Sequence, residues 1–119
     1  LPSMDPPHLQ EWSMKKVIKE YTELHNLGIR NNFKLIIIRM PDGDFLVTRK
    51  GAGMYRTDLL DSLDKSMKQD NIPYVDANGY FSTLSESSSL FLNDQVHLTP
   101  QGYHILSEYI YQTTKNIIN

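Results

Sequence analysis

Asp94 and His97 are the two residues of this sequence whose types and spacing could do chemistry. They lie three residues apart in a polar segment, so one turn of chain can place the carboxylate against one imidazole nitrogen. The other ring nitrogen is then left to face a cleft. A carboxylate in that position sets the tautomer of the histidine and stabilises the imidazolium that forms when the ring accepts a proton. The spacing therefore predicts a general base and its orienting acid.

A helix start follows the pair. Thr99 can cap the helix and Pro100 suits its first position, so His97 is anchored just ahead of a rigid element. A general base requires such anchoring. Taken without this context, Asp94 would be interpreted as a turn residue and His97 as a side chain that packs above the helix. The apolar spacing of the helix predicts a buried face made of Leu106, Ile110, Thr113 and Ile117.

The segment from Asn93 to Tyr103 (NDQVHLTPQGY) resembles the last block of the SGNH, or GDSL-type, hydrolases. In that family the final block supplies the catalytic Asp and His with this spacing, followed by a Pro and a Gly that enter the last helix. The order of the preceding elements is similar over most of the chain, although only Asp94–Tyr103 is specific. The resemblance implies a Ser–His–Asp mechanism in which His97 is the general base and Asp94 orients it.

The serine nucleophile of that family has no counterpart in this sequence. The family carries it in a Gly-Asp-Ser block after the first strand, whereas here Gly43-Asp44 is followed by Phe45. Ser3 has no strand before it, and the serines between Ser85 and Ser89 belong to a predicted polar loop. The glycine and Gly-x-Asn-Asp blocks that complete the family's oxyanion hole are not recognisable either. We therefore expect the nucleophile and the oxyanion hole to be supplied elsewhere, and the isolated chain to be inactive.

The elements that must position the pair alternate between helix and strand. The first helix, with Met14, Val17, Ile18, Tyr21 and Leu24 on one face, is predicted to end at Gly28. Apolar strands are predicted at 33–38 and 72–76, a helix at 57–69 and a loop after Asp76, for which a structural turn role is favoured. Phe45–Thr48 is either a short strand or part of a loop.

This order predicts an α/β fold with a parallel sheet. Two or three strands are few for such a sheet, which usually has about four to six and is covered on both faces. We therefore expect 1–119 to be a single domain or the C-terminal part of a longer one, which by the resemblance would be an SGNH-hydrolase domain. The resemblance implies an incomplete, flavodoxin-like three-layer α/β/α sandwich. The missing N-terminal part or a second chain would complete it.

Composition limits the other classes of function. The net charge of −2 favours neither nucleic acid nor anionic lipid as a partner. The absence of cysteine excludes disulfides, thiolate metal sites and a cysteine nucleophile. No apolar run is long enough for a membrane span. A metal site made of Asp94, His97 and His104 is conceivable, but His104 is expected inside the helix. The sequence thus predicts neither a metal nor an organic cofactor, and it leaves the cellular compartment open.

The function implied by the resemblance is hydrolysis or transfer of an acyl ester, with a small ester, a lipid or an acylated carbohydrate as substrate. Two alternatives from other classes stay open. In the first, the chain is a non-catalytic SGNH-like binding or assembly module that retains Asp94 and His97. In the second, it is an unrelated small α/β interaction protein in which the Asp-x-x-His spacing is a coincidence.

Overall fold

The computed structural model describes residues 6–43 and 57–118 of the chain. The helices in these ranges are α1 (Pro6–Asn31), α2 (Thr57–Gln69), α3 (Ala77–Ser82) and α4 (Pro100–Ile118), and the strands are β1 (Ile37–Arg39) and β2 (Tyr74–Asp76). A 3-10 turn spans Ser87–Leu90. The predicted strand or loop at 45–48 and the serine at position 3 lie outside the described residues. The described elements form two compact units.

The first unit contains α1 and α2, which pack against each other. On α1, Met14, Val17, Ile18 and Tyr21 are half-buried as expected, whereas Leu24 is exposed. Leu63 and Met67 of α2 are buried, which agrees with the apolar face of that amphipathic helix.

The prediction that Gly28 ends α1 is wrong, because the helix continues to Asn31. The chain leaves the helix at Asn32, where φ is 62°, and the N–H of Phe33 donates to the Gly28 carbonyl at 3.0 Å. This bond satisfies one of the carbonyls left open at a helix end. Gly28 is needed for a different reason. A Cβ at this position would lie 2.6 Å from the Phe33 carbonyl oxygen and 3.0 Å from its ring.

The second unit contains the sheet and the remaining helices. Strands β1 and β2 pair in parallel, with Ile37 opposite Tyr74 and Arg39 opposite Asp76. The fold is thus mixed α and β with a parallel sheet, as expected, and the sheet has two strands in the described residues. Both strands are shorter than predicted: β1 begins at Ile37 rather than Phe33, and β2 begins at Tyr74 rather than Ile72.

A short helix, α3, replaces the loop that was predicted after Asp76. The Asp76 carboxylate accepts the N–H of Gly79 at 2.8 Å and caps this helix, so the structural role expected for Asp76 is confirmed. Phe81 of α3 is fully buried and its ring packs edge-on against that of Phe91. The core around them is apolar; its buried members are Ala77, Phe81, Leu90, Phe91, Leu98 and Leu106.

The last helix, α4, begins at Pro100 as predicted. Leu106 is buried and Ile110 and Ile117 are half-buried, but Thr113 is exposed and Thr114 takes the buried position instead. The Thr114 hydroxyl donates to the Ile110 carbonyl at 2.6 Å, so the hydroxyl loses no hydrogen bond on burial. Within the ranges given above, none of the helices has the length and apolarity needed to cross a bilayer.

Candidate active site

A loop between the 3-10 turn and α4 carries Asp94 and His97, and its two ends are held together. Phe91 and Leu98 form an antiparallel bridge, and both side chains are buried in the core. The N–H of Leu92 donates to the His97 carbonyl at 2.8 Å, and the N–H of Thr99 donates to the Leu90 carbonyl at 2.8 Å. Full burial of two such side chains stabilises the base of the loop by about 1.5–3 kcal/mol each. The loop is therefore a closed structure on an apolar base.

Inside the loop, one carboxylate oxygen organises the backbone. Oδ1 of Asp94 accepts the N–H groups of Val96 and His97, each at 3.0 Å. Gln95 lies between these donors and has φ of 57°, while its own N–H donates to the Leu92 carbonyl at 2.9 Å. Asp is favoured at such positions because its short side chain can accept from backbone groups two and three residues ahead.

The second carboxylate oxygen contacts the histidine. Oδ2 of Asp94 lies 2.6 Å from Nδ1 of His97, and the two side chains are 47% and 64% exposed respectively. The hydrogen bond from the His97 ring, and then those from the N–H groups of His97 and Val96, lower the pKa of Asp94 from 3.8 to about 2. The carboxylate is thus ionised at neutral pH and can only accept a hydrogen bond, so Nδ1 carries the hydrogen.

The other ring nitrogen of His97 points away from this pair of hydrogen-bonded groups. Within residues 6–43 and 57–118, no group hydrogen-bonds to His97 Nε2. With the hydrogen on Nδ1, the neutral ring presents Nε2 as a lone-pair acceptor. Because the ring is largely exposed, that nitrogen can accept a proton from a group brought to it. Asp94 and His97 are therefore brought together in the geometry that an acid–base couple requires.

The helix that follows the loop begins with the expected cap. The Thr99 hydroxyl accepts the N–H of Gly102 at 3.1 Å, and Pro100 occupies the first helical position. Gly102 has a steric role that spacing did not reveal. A Cβ at this position would lie 2.6 Å from the Leu90 carbonyl oxygen, which is the acceptor at the base of the loop. Glycine thus allows α4 to approach the loop closely.

No protein-family model, no curated protein and no solved structure matches this chain.

A neighbour of the loop that the sequence did not indicate comes from the end of β1. Gly43 packs directly on the backbone of Gln95, and the N–H of Asp42 donates to Oδ1 of Asn78 at 2.9 Å. Asn78 is buried in the first turn of α3, directly after β2. The loop that carries Asp94 and His97 thus adjoins the carboxyl end of the parallel sheet, where ligand sites of α/β proteins are found. The sequence indicated a chain break at Pro41-Asp42-Gly43 after an apolar strand, but it did not indicate these distant contacts.

The candidate serines that the structure describes, those between Ser85 and Ser89, form no hydrogen bond with His97. Among the described residues, no serine hydroxyl hydrogen-bonds to the ring, and Ser87 is buried in the 3-10 turn. Ser85 and Ser89 line a shallow cavity of about 180 Å³ to which neither Asp94 nor His97 contributes. Ser89 Oγ donates to the Glu86 carbonyl at 2.8 Å.

The metal alternative requires a third ligand beside Asp94 and His97. In the part of the chain that the structure describes, no three His, Asp or Glu side chains converge as metal ligands would. His104 is exposed on α4, as expected for a residue inside the helix.

Proposed function

We propose that this chain supplies the acid–base half of a Ser–His–Asp acyl-ester hydrolase or acyltransferase of SGNH type. One observation carries the proposal: the 2.6 Å hydrogen bond between Asp94 Oδ2 and His97 Nδ1 in a loop that leaves Nε2 accessible. The position of this loop at the carboxyl end of the sheet, ahead of a capped helix, supports it. The substrate class is a small ester, a lipid or an acylated carbohydrate.

In the proposed mechanism, His97 moves a proton twice in each half-reaction. Nε2 accepts the proton of a serine hydroxyl while the serine oxygen attacks the ester carbonyl, and Asp94 stabilises the imidazolium that results. Collapse of the tetrahedral intermediate releases the alcohol, which takes the proton from Nε2. Water or an acceptor alcohol then attacks the acyl-serine with the same base, which regenerates the serine and releases the acid or the new ester.

The serine and the oxyanion hole belong, in this proposal, to a part of the domain outside the described residues or to a second chain. That part would also complete the three-layer α/β/α sandwich. Two paired strands of three residues support this expectation, because parallel sheets usually contain about four to six strands and are covered on both faces.

The test is esterase activity of the natural, full-length protein on p-nitrophenyl acetate, with His97→Ala beside a matched control, His104→Ala. Both histidines are exposed and belong to the same unit, so the control removes an equal imidazole background. We expect His97→Ala to lower kcat/KM by about 10⁴, as loss of a triad member does in serine hydrolases. His104→Ala should retain activity. Equal turnover by both variants would refute the catalytic proposal.

A second candidate function is a non-catalytic binding or assembly module. The observation that favours it is the absence of any serine hydroxyl bonded to His97 within the described ranges. The same assay separates the candidates, because a non-catalytic module predicts no turnover by the full-length protein beyond that of free imidazole.

A further inference from the structure

We infer that Gly43 and Asn78 are positioning residues for the Asp94–His97 couple, because together they fix the peptide plane that aims a backbone amide at Asp94. Their catalytic meaning rests on the proposed function, whereas their effect on the loop does not.

Gly43 is the first part of this support. A Cβ at position 43 would overlap the carbonyl oxygen of Gln95 and would lie 2.8 Å from its carbonyl carbon and 2.9 Å from Cδ1 of Phe91. No real side chain fits at these distances, so the Gly43 backbone lies directly against the Gln95 carbonyl. Any residue other than glycine must displace that carbonyl or the segment after β1.

The Gln95 carbonyl matters because of the amide on the other side of the same peptide bond. The peptide unit is planar, so the Gln95 C=O and the Val96 N–H turn together. The Val96 N–H donates to Asp94 Oδ1 at 3.0 Å. A group that holds the Gln95 carbonyl in place therefore also directs this donor at the carboxylate. The orientation of the carboxylate in turn sets where Oδ2 meets the His97 ring.

Asn78 is the second part, because it holds the segment after β1 to which Gly43 belongs. Its side chain is only 4% exposed, and its Oδ1 accepts the Asp42 N–H at 2.9 Å. The helix that carries Asn78 is capped by Asp76 at the end of β2. The segment after β1 is thus held by a buried amide at the edge of the sheet, and Gly43 in this segment fixes the position of the Gln95 carbonyl.

The experiment measures the loop directly, by NMR of the natural, full-length protein labelled with ¹⁵N in its histidines and valines. Two-bond ¹H–¹⁵N correlations report which nitrogen of the neutral His97 ring carries the hydrogen, and the Val96 amide shift reports its hydrogen bond. In the unaltered chain we expect the Nδ1–H tautomer. In Gly43→Ala we expect loss of that single tautomer to a mixture with the Nε2–H form, and a shifted Val96 amide.

Two further variants make the result decisive. Asn78→Leu keeps the branching and the number of side-chain heavy atoms but removes the acceptor for the Asp42 N–H, so it should change the same two signals. It also tests the proposal if Gly43→Ala does not fold. Gly28→Ala is the matched control, because a Cβ there also meets a backbone carbonyl, at 2.6 Å, but in the first unit. It should leave both signals unchanged.

The proposal is overturned if the folded Gly43→Ala and Asn78→Leu variants keep the native Val96 shift and His97 tautomer, or if Gly28→Ala alters them equally. Failure of the proposed function looks different. In that case His97→Ala leaves ester turnover unchanged while the positioning variants still move the NMR signals.

Discussion

The two units of this molecule use the left-handed backbone conformation in different ways. Among the described residues, three non-glycine positions have positive φ: Asn32 at 62°, Asn71 at 57° and Gln95 at 57°. Asn32 and Asn71 belong to the helical unit, and Gln95 belongs to the unit with the sheet.

In the helical unit both residues end a helix. After Asn71 the N–H of Ile72 donates to the Met67 carbonyl at 2.8 Å, and after Asn32 the N–H of Phe33 donates to the Gly28 carbonyl at 3.0 Å. Asn is the residue that adopts this conformation most readily after glycine, so these ends are relaxed structural features.

Gln95 has no comparable preference for positive φ. Its conformation is held by the bonds on either side, where the Asp94 carboxylate accepts from Val96 and His97 and where Gly43 packs on its carbonyl. Non-glycine residues in this region cost on the order of 1 kcal/mol or more and are found where surrounding contacts over-determine them, often at functional sites. The comparison thus distinguishes a positive φ that the residue type favours, at the two asparagines, from one that the surrounding contacts impose, at Gln95.

The largest expected effect comes from removing the Asp94 carboxylate, which holds the backbone on the far side of Gln95. Asp94→Ala should lower kcat/KM of the full-length protein by about 10⁴, because His97 loses the acceptor that sets its tautomer. Asn71→Ala, the matched change in the helical unit, should destabilise the fold by about 1 kcal/mol and leave kcat/KM of the folded protein unchanged. Ester hydrolysis and urea unfolding measure the two effects. Similar kcat/KM values for the two variants would contradict the distinction.

Two glycines extend the comparison to close packing. Gly28→Ala and Gly102→Ala each place a Cβ 2.6 Å from a backbone carbonyl, so each should lower the free energy of unfolding by about 1–3 kcal/mol. Only Gly102→Ala displaces the Leu90 carbonyl, which accepts from Thr99 at the base of the loop. Urea denaturation measures the stability, and the Thr99 amide shift measures the loop. A shift of that amide in Gly28→Ala as well would contradict the assignment.

Contacts between residues close in sequence could be predicted, whereas contacts between distant residues could not. The Asp94–His97 contact spans three residues and the Thr99 cap also spans three, so spacing and residue type were sufficient to predict both geometries. The Asn78–Asp42 bond spans 36 residues, and the contact of Gly43 with Gln95 is also distant. A single sequence contains no signal for such pairs, because they depend on how the strands bring their ends together.

The predicted end of α1 was also wrong. Gly28 was predicted to end α1 because glycine favours that role, but the asparagine four residues later provides the positive φ and Gly28 provides space for Phe33. Strand bounds were also too wide, since apolar residues such as Leu35 are half-buried without being part of the ladder. Whether Asp94 and His97 catalyse a reaction stays a prediction.

A smaller effect should appear when glycine replaces the left-handed residues. Asn32→Gly should change the free energy of unfolding by no more than a few tenths of a kcal/mol, because both residues tolerate positive φ. Gln95→Gly should stabilise the folded state by about 0.5–1 kcal/mol. Glycine relieves the backbone strain at positive φ, and this gain exceeds the greater loss of chain entropy that glycine causes on folding. Urea unfolding of both variants measures the two changes in the free energy of unfolding. Equal changes would mean that Gln95 is not strained.

The smallest expected effect is a change at low pH in the loop that carries Asp94, which the end of α1 should not show. The pKa of Asp94 is lowered to about 2 by hydrogen bonds from the His97 ring and from the N–H groups of His97 and Val96. A carboxyl whose pKa is lower in the folded state stabilises that state above its ordinary pKa of 3.8, and the contribution is lost as the pH falls toward 2. The Val96 amide shift should therefore titrate with a midpoint near 2.

Two controls accompany this titration. The shift of the Phe33 N–H, which donates to a carbonyl, should not change with that midpoint. Asp94→Asn removes the titrating group and should abolish the transition, whereas a Val96 midpoint near 4 would mean that the carboxylate gains nothing from the loop around it.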